Sequence, residues 1–345
     1  MGPRILNLVW NNPGGLMDIP DLAEETYRLL LQVPRGRVTT YGALAVALGA
    51  REAARLVGEY MAKNPYAPQV PCHRVVLSDG KVGKYSAPRG AARKIELLEE
   101  EGVAVRDGRI VDFEDILFTG FEGPRPLERL RGYQLSLLPR LRLEDDRGPP
   151  SSLMAVDVAY TDIGAFAAGA FFGIRENRPG PTVSLHMAVD FPYIPTFLGF
   201  REIPALKAVL DSLPKRPDML LIDGNGTLHP HGIGIASQAG IELDIPTIGV
   251  AKSLLCGEPA GSPKNIGDSV EVIVDGKAMG HALRVSASVK GIVYVSPGHM
   301  VSPRTALGTI RSLISNGQVG PLRRAHLAAR EAAASFKSGS PRAGP

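Results

Sequence analysis

Leu153-Met154-Ala155-Val156-Asp157-Val158-Ala159-Tyr160 is an apolar run broken by a single carboxylate. Its length and pattern predict a strand over 153–160, and turn signals set off two more strands over 165–174 and 182–189. Farther on, a helix over 200–213, a strand over 219–223, a helical stretch over 233–241 and a strand over 247–251 alternate. Three strands followed by alternating α and β segments predict a mixed sheet flanked by helices. Asp157 interrupts the first strand, and Asp223 ends Met219-Leu220-Leu221-Ile222-Asp223-Gly224. A carboxylate in a buried strand is costly unless it is paired or binds a cation. Two such strands side by side would offer hard oxygen ligands to Mg²⁺, with Glu202, after Phe200-Arg201, as a third. Taken singly, each carboxylate is more often an N-cap or an exposed strand end; the three as a set fit either reading.

Working outward, Gly120, Gly123, Pro124 and Pro126 precede a basic amphipathic run ending at Pro139, and Gly148-Pro149-Pro150 follows. These breaks predict a first domain over 1–115, a linker over 116–123, a second domain over 124–335 and a disordered tail over 336–345. A length of 345 residues agrees with two domains. Between Ile19 and Arg106 the pattern is mostly helical. Thr40 is placed to cap a helix ending near Leu48, and after Gly49 a second helix spans 51–63 with Pro65 just beyond it. That is a helix-turn-helix outline, although antiparallel helix pairs of this kind also serve as plain packing units.

Lys and Arg exceed Asp and Glu by 39 to 35, and residues 301–345 hold seven basic side chains against one acidic. Nucleic acid is therefore a permitted partner, weakly argued by charge alone. Two cysteines, Cys72 and Cys256, are too few for a disulfide framework, and no apolar run is long enough for a signal peptide or a membrane span. The expectation is a cytoplasmic protein that acts as a monomer and has no membrane partner. Pro71-Cys72-His73-Arg74-Val75 places a thiol beside an imidazole and a guanidinium, surroundings that favour a thiolate. Taken alone, a pair of this kind is more often a buried small hydrophobe next to a satisfied core or surface histidine.

The order of motifs around it is more telling. Arg37-Val38-Thr39-Thr40-Tyr41-Gly42, Ala54-Arg55-Leu56-Val57-Gly58, Asn64-Pro65, the Cys72 motif, Gly83-Lys84-Tyr85-Ser86, Lys94 and Leu97-Leu98-Glu99-Glu100-Glu101-Gly102 follow one another. Together they resemble the DNA-binding, active-site domain of the O6-alkylguanine-DNA alkyltransferases. The resemblance implies that Cys72 accepts the alkyl group, that His73 takes its proton through a water, and that Glu101 holds the imidazole. It implies that Tyr41 serves the leaving guanine, Asn64 braces the turn before the cysteine loop, Arg55 fills the gap left by a flipped base, and Tyr85 and Ser86 line the pocket. Three features depart from the family pattern: the short segment ahead of Ile19, Tyr60 in place of a small residue, and Ala87-Pro88 in place of a Gly-rich turn.

The second half resembles endonuclease V. Pro192-Tyr193-Ile194-Pro195, Phe200-Arg201-Glu202, Asp223-Gly224-Asn225-Gly226 with His229-Pro230, Pro246-Thr247-Ile248-Gly249-Val250-Ala251-Lys252-Ser253 and Val295-Ser296-Pro297-Gly298-His299 carry the likeness. It implies a ribonuclease-H-like α/β domain that cuts a strand at the second phosphodiester bond 3′ to hypoxanthine. Asp157, Glu202 and Asp223 would then hold Mg²⁺, Lys252 would offset phosphate charge, and His299 would assist near the metal, with His229 a further candidate. Pro192, Tyr193, Ile194 and Pro195 would form a wedge between bases, and Gly224 and Gly226 would let backbone approach the flipped base. Thr196 replaces a Gly, His231-Gly232 stands where Arg is usual, Gln238 stands where His is common, and Cys256 has no assigned role.

Both resemblances together imply a mainly α helix-turn-helix domain joined to an α/β nuclease, acting on damaged DNA that carries O6-alkylguanine or hypoxanthine. Two alternatives stay open on the residues alone: a lesion-binding module with one site vestigial, and a nuclease acting mainly on inosine-containing RNA.

Overall fold

The computed structural model describes the backbone of residues 5–7 and 20–339, and side chains over 20–336. These residues form two compact units, one running to Tyr133 and including Pro192–Pro195, the other taking the remainder.

A short strand, β1 (Ile5–Asn7), belongs to the second unit, so these residues are not part of the first domain where composition placed them. The first unit starts with α1 (Leu22–Leu30), capped by Asp21, whose carboxylate accepts from the amides of Ala23 and Glu24. A two-residue strand, β2 (Thr39–Thr40), leads into α2 (Tyr41–Ala47), and Thr40 Oγ1 accepts from the Ala43 amide as its cap. A 3-10 turn over Arg51–Ala53 precedes α3 (Ala54–Ala62) and completes the helix-turn-helix pair. Next come a 3-10 turn, Cys72–Arg74, and β3 (Val75–Val76), which pairs in parallel with β2 and so ties the cysteine loop to the start of α2. The unit is completed by α4 (Gly90–Glu100), the hairpin β4 (Val105–Arg106) and β5 (Arg109–Ile110), and α5 (Phe113–Ile116), over a core of Val38, Val76, Val82, Leu98, Val103 and Ile110.

The division between the units falls at 133/134, inside α6 (Pro126–Ser136), and not in the Gly/Pro-rich stretch 116–123. That stretch packs within the first unit: the Phe118 carbonyl accepts from Thr39 Oγ1, and the Glu122 carbonyl and amide bond to the side chain of Gln32.

The second unit opens with the antiparallel meander β6 (Ser152–Thr161), β7 (Gly164–Gly173) and β8 (Arg178–Met187). Then α7 (Leu198–Asp211), β9 (Leu220–Asp223), α8 (Ile235–Leu243) and β10 (Thr247–Ala251) alternate. They are followed by β11 (Glu258–Pro259), β12 (Ser269–Val274), β13 (Lys277–Arg284), β14 (Ile292–His299), α9 (Pro303–Ser312), the hairpin β15 (Ile314–Ser315) and β16 (Gln318–Val319), and α10 (Gly320–Gly339). One ten-stranded sheet runs β1-β8-β7-β6-β9-β10-β14-β13-β12-β11, with β6, β9 and β10 parallel at its centre. The two-residue alternation of each strand sorts its side chains between two cores. Met154, Val156, Leu220 and Ile222 face the helices α7 and α8, while Leu153, Ala155, Leu221 and Val250 pack with Ile310 of α9 and Ala325 of α10. Residues 336–339 continue α10 and are not tail: the Phe336 ring lies 5.5 Å from Phe166 and 4.5 Å from His186. The rest of the expected tail lies outside the described residues.

Candidate active sites

Cys72 begins its 3-10 turn with 4% of its surface exposed, held there by the β2–β3 pairing on one side and Asn64 on the other. Asn64 Nδ2 donates to the Val70 carbonyl at 2.9 Å and its Oδ1 accepts from the Tyr66 amide at 3.0 Å, so it spans the link between α3 and the cysteine loop. His73 Nε2 donates to Glu101 Oε1 at 3.0 Å. Arg74 clamps the same carboxylate with Nε at 2.8 Å and a terminal nitrogen at 2.7 Å. Burial works against the Glu101 charge, but the bonds from Arg74 and His73 outweigh it and hold this carboxyl below the usual range. Burial pushes the His73 imidazole down despite the Glu101 bond, and its Nδ1 is buried with no hydrogen-bond partner among the described residues.

Two tyrosines face the thiol. Burial, the charge of Cys72 and a hydrogen bond with it push Tyr85 up to about 12, and burial with the Cys72 charge raises Tyr41. Arg55 is exposed on α3, and Ser86 is exposed beside Tyr85. Tyr60, the large residue in a small-residue position, is partly buried with its ring 6.5 Å from Tyr27, whose hydroxyl donates to the Tyr60 carbonyl. Sequence reasoning gave no role to Lys94, which is 0% exposed, donates to the Val75 carbonyl at 2.6 Å and is pushed down to about 8 by burial, with Cys72 opposing the shift. A lysine in the middle of an amphipathic helix gives no sign of such burial in one sequence; only its contact with the strand after the cysteine does.

In the second unit, the parallel register sets Val156 opposite Ile222, which puts Asp157 and Asp223 in the same row at the rim of the sheet. Each carboxylate holds a cationic or ring nitrogen partner. Lys252 Nζ donates to Asp223 Oδ2 at 2.7 Å, and His326 Nδ1, from α10, donates to Asp157 Oδ2 at 2.7 Å. Burial lowers the Lys252 pKa, but the bond to Asp223 more than restores it. A cavity of about 440 Å³ opens beside them, lined by Asp223, Lys252, Lys290, Arg323 and His326 among others.

Glu202 sits on α7, where its Oε1 accepts from the Tyr160 hydroxyl at 3.2 Å. Burial pushes it up to about 8; the Tyr160 bond opposes this, and the charges of Asp157 and Asp223 add to it. Its carboxyl thus feels the other two. Among the described residues, however, no three His, Cys, Asp or Glu side chains come together as a ready-made metal cage. Asp157 and Asp223 stand in one row, and Glu202, bonded to the Tyr160 hydroxyl, lies near enough for its charge to interact with both. Hard oxygen donors that share a site with excess negative charge fit a divalent cation.

The structure corrects one of these placements. His299 pairs with Thr247, which pairs with Leu220, three residue rows from Asp223, and its Nδ1 accepts from the Arg142 amide. Antiparallel β14 carries it to the far end of the sheet, so it does not attend the carboxylates; His326 occupies that place. His229 is buried in the loop after β9, where its Nδ1 accepts from the His231 amide. The close approaches made at Gly224 and Gly226 are internal: a Cβ would meet Ile235 Cγ2 at 2.4 Å and the Pro297 carbonyl oxygen at 2.1 Å respectively. In the expected wedge, Tyr193 is 57% exposed, Ile194 is buried and Pro192 and Pro195 flank them.

A chain with a buried thiol beside a His–Glu–Arg network in one unit, and paired rim carboxylates with basic partners in another, is an enzyme with two separate chemistries. It belongs to the endonuclease V family, whose model, Endonuclease V, matches residues 136–327. The model for the 6-O-methylguanine DNA methyltransferase, DNA binding domain, matches residues 21–103. Both halves align with relatives named bifunctional methyltransferase/endonuclease. The one from Thermoplasma volcanium is 38% identical over 268 residues, covering 77% of this chain and 79% of its own length. The one from Picrophilus torridus is 35% identical over 294 residues, covering 85% of this chain and 90% of its own. Among solved structures, endonuclease V from Streptomyces avermitilis is 32% identical with a TM-score of 0.56, over 61% of this chain and 94% of that one. No helix among the described residues is long and apolar enough to cross a membrane.

Proposed function

We propose that this protein repairs two lesions in DNA: it transfers the alkyl group of O6-alkylguanine to Cys72, and it cuts strands at the second phosphodiester bond 3′ to hypoxanthine. The observation that carries the reading is the pairing, in one chain, of the Cys72–His73–Glu101 network with the Asp157–Asp223 row.

In the first reaction, the Nε2 proton of His73 is committed to Glu101, which leaves the Nδ1 lone pair to take the thiol proton through a water. The sulfur attacks the alkyl carbon; an S–C bond forms, the C–O bond to guanine breaks, and the leaving base takes a proton supplied at Tyr41. Lys94, fixed beside the thiol, offsets the charge on the sulfur. Tyr85 and Ser86 line the pocket, and Arg55 fills the gap in the duplex while the base is out. Because the thioether is not reversed, each molecule acts once.

In the second, Asp157 and Asp223 would hold a divalent cation, Mg²⁺ in our reading, which when bound supplies charge to the scissile phosphate and eases ionisation of water. Lys252 neutralises a phosphate oxygen at the rim, and His326 fixes the orientation of Asp157. Glu202, bonded to the Tyr160 hydroxyl beside this pair, would be a third oxygen donor to the same cation. Tyr193 enters the stack at the lesion. A reducing, cytoplasmic setting keeps Cys72 as a free thiol, and one copy of the chain holds each complete set of groups.

An inosine-bearing oligonucleotide, offered as DNA and as RNA with and without Mg²⁺, tests the nuclease. Metal-dependent nicking of the DNA strand two bonds 3′ to inosine is expected, and random or metal-independent cutting would refute the reading. Mass analysis after incubation with O6-methylguanine DNA should place one methyl group on the Cys72 peptide.

A further inference from the structure

Two positions stood out in the sequence as departures from the endonuclease V pattern, Thr196 and Gln238, and neither has a part in the chemistry above. The structure joins them through one chain of hydrogen bonds, buried at the Gln134–Gln238 link. Gln134 Nε2 donates to the Thr196 carbonyl at 3.3 Å and to Gln238 Oε1 at 3.1 Å, and Gln238 Nε2 donates to Glu242 Oε1 at 2.9 Å. Gln134 and Gln238 are each 1% exposed. Thr196 is held at φ +69°, a left-handed conformation that a β-branched residue adopts only when its surroundings impose it. It follows directly on the exposed wedge residue Tyr193 and its neighbours.

Gln238 also sets the start of α7. Gly199 lies so close against it that a Cβ there would come within 2.3 Å of Gln238 Oε1, and Glu202 is one turn farther along the same helix. One amide therefore touches the first turn of the Glu202 helix and, through Gln134, the carbonyl that ends the wedge. A strained turn pinned by hydrogen bonds is a means of fixing direction, and the direction fixed here is that of the chain where it leaves the 192–195 segment and enters α7.

We propose that Gln134 and Gln238 are positioning residues that preset the wedge for lesion capture and leave the phosphodiester step itself untouched. The proposal rests on the nuclease reading. Its test uses the full-length protein and DNA with 2-aminopurine beside inosine, so that base extrusion is read as fluorescence and nicking as product. Gln134→Met and Gln238→Met should each raise KM by about ten-fold, the effect of losing one buried hydrogen bond, with kcat changed by less than about three-fold. The fluorescence rise should fall in parallel. Gln238→His, which restores an acceptor and a donor, should recover most of the loss. Thr196→Gly relieves the strained conformation without burying a new group; it should remain folded and also weaken extrusion. Equal losses in kcat with KM and fluorescence unchanged would overturn the proposal, as would wild-type behaviour of folded Gln134→Met and Thr196→Gly. Failure of the wild type to nick inosine DNA would instead refute the nuclease reading.

Discussion

His73 is governed by two opposing influences, burial that disfavours its cationic form and Glu101 that favours it, and burial prevails. A base must be neutral to accept a proton, so alkyl transfer should hold its plateau rate below pH 6.5, the ordinary histidine value, and fall only as pH drops through the depressed one. A single-turnover pH profile checks this; a break above 6.5 would contradict it. Glu101→Gln should slow transfer by about ten-fold or more, because the amide can present the wrong group to Nε2 and leave Nδ1 protonated. The same residue scale marks the limit of sequence reading. Cys72, His73 and Glu101 were legible because their motifs are local and ordered. His326 was not, since its partner Asp157 lies 169 positions away and a histidine near the strand motif, His299, offered a nearer but mistaken choice.

Among the elements, the sheet carries the site because its parallel centre aligns β6 with β9, and the loop after β9 must then lie flat on β14. Gly226→Ala would drive a Cβ to 2.1 Å from a backbone carbonyl that cannot swing aside. It should destabilise the second unit by more than about 2 kcal/mol, seen as a lower denaturation midpoint with the first unit unaffected. At the other edge, the last turns of α10 lay Phe336 on Phe166 and His186. Deleting 336–345 should therefore cost about 1–3 kcal/mol, whereas a true tail would cost nothing. The meander and the α/β alternation were readable from apolar periodicity. The last four strands of the sheet and the reach of α10 were not: their strands mix polar with apolar positions on a half-exposed edge, and Ala- and Arg-rich helix ends look like solvated tail.

For the molecule as a whole, two chemistries in one chain predict two independent inhibitions. EDTA should stop inosine nicking and leave alkyl transfer unchanged, since the thiol network uses no metal ligand. Both domains were legible in outline because each carries several motifs in fixed order, but the division between them was not. Gly and Pro in 116–123 mark irregular backbone, and irregular backbone can still pack on a domain, as Phe118 and Glu122 do. The most direct measurement is a crossed assay of Cys72→Ala and Asp157→Ala on O6-methylguanine DNA and inosine DNA. The two-site account predicts that Cys72→Ala abolishes methyl transfer and nicks inosine DNA at the wild-type rate, while Asp157→Ala does the reverse. Loss of both activities in either folded variant, or retention of both in either one, would contradict it.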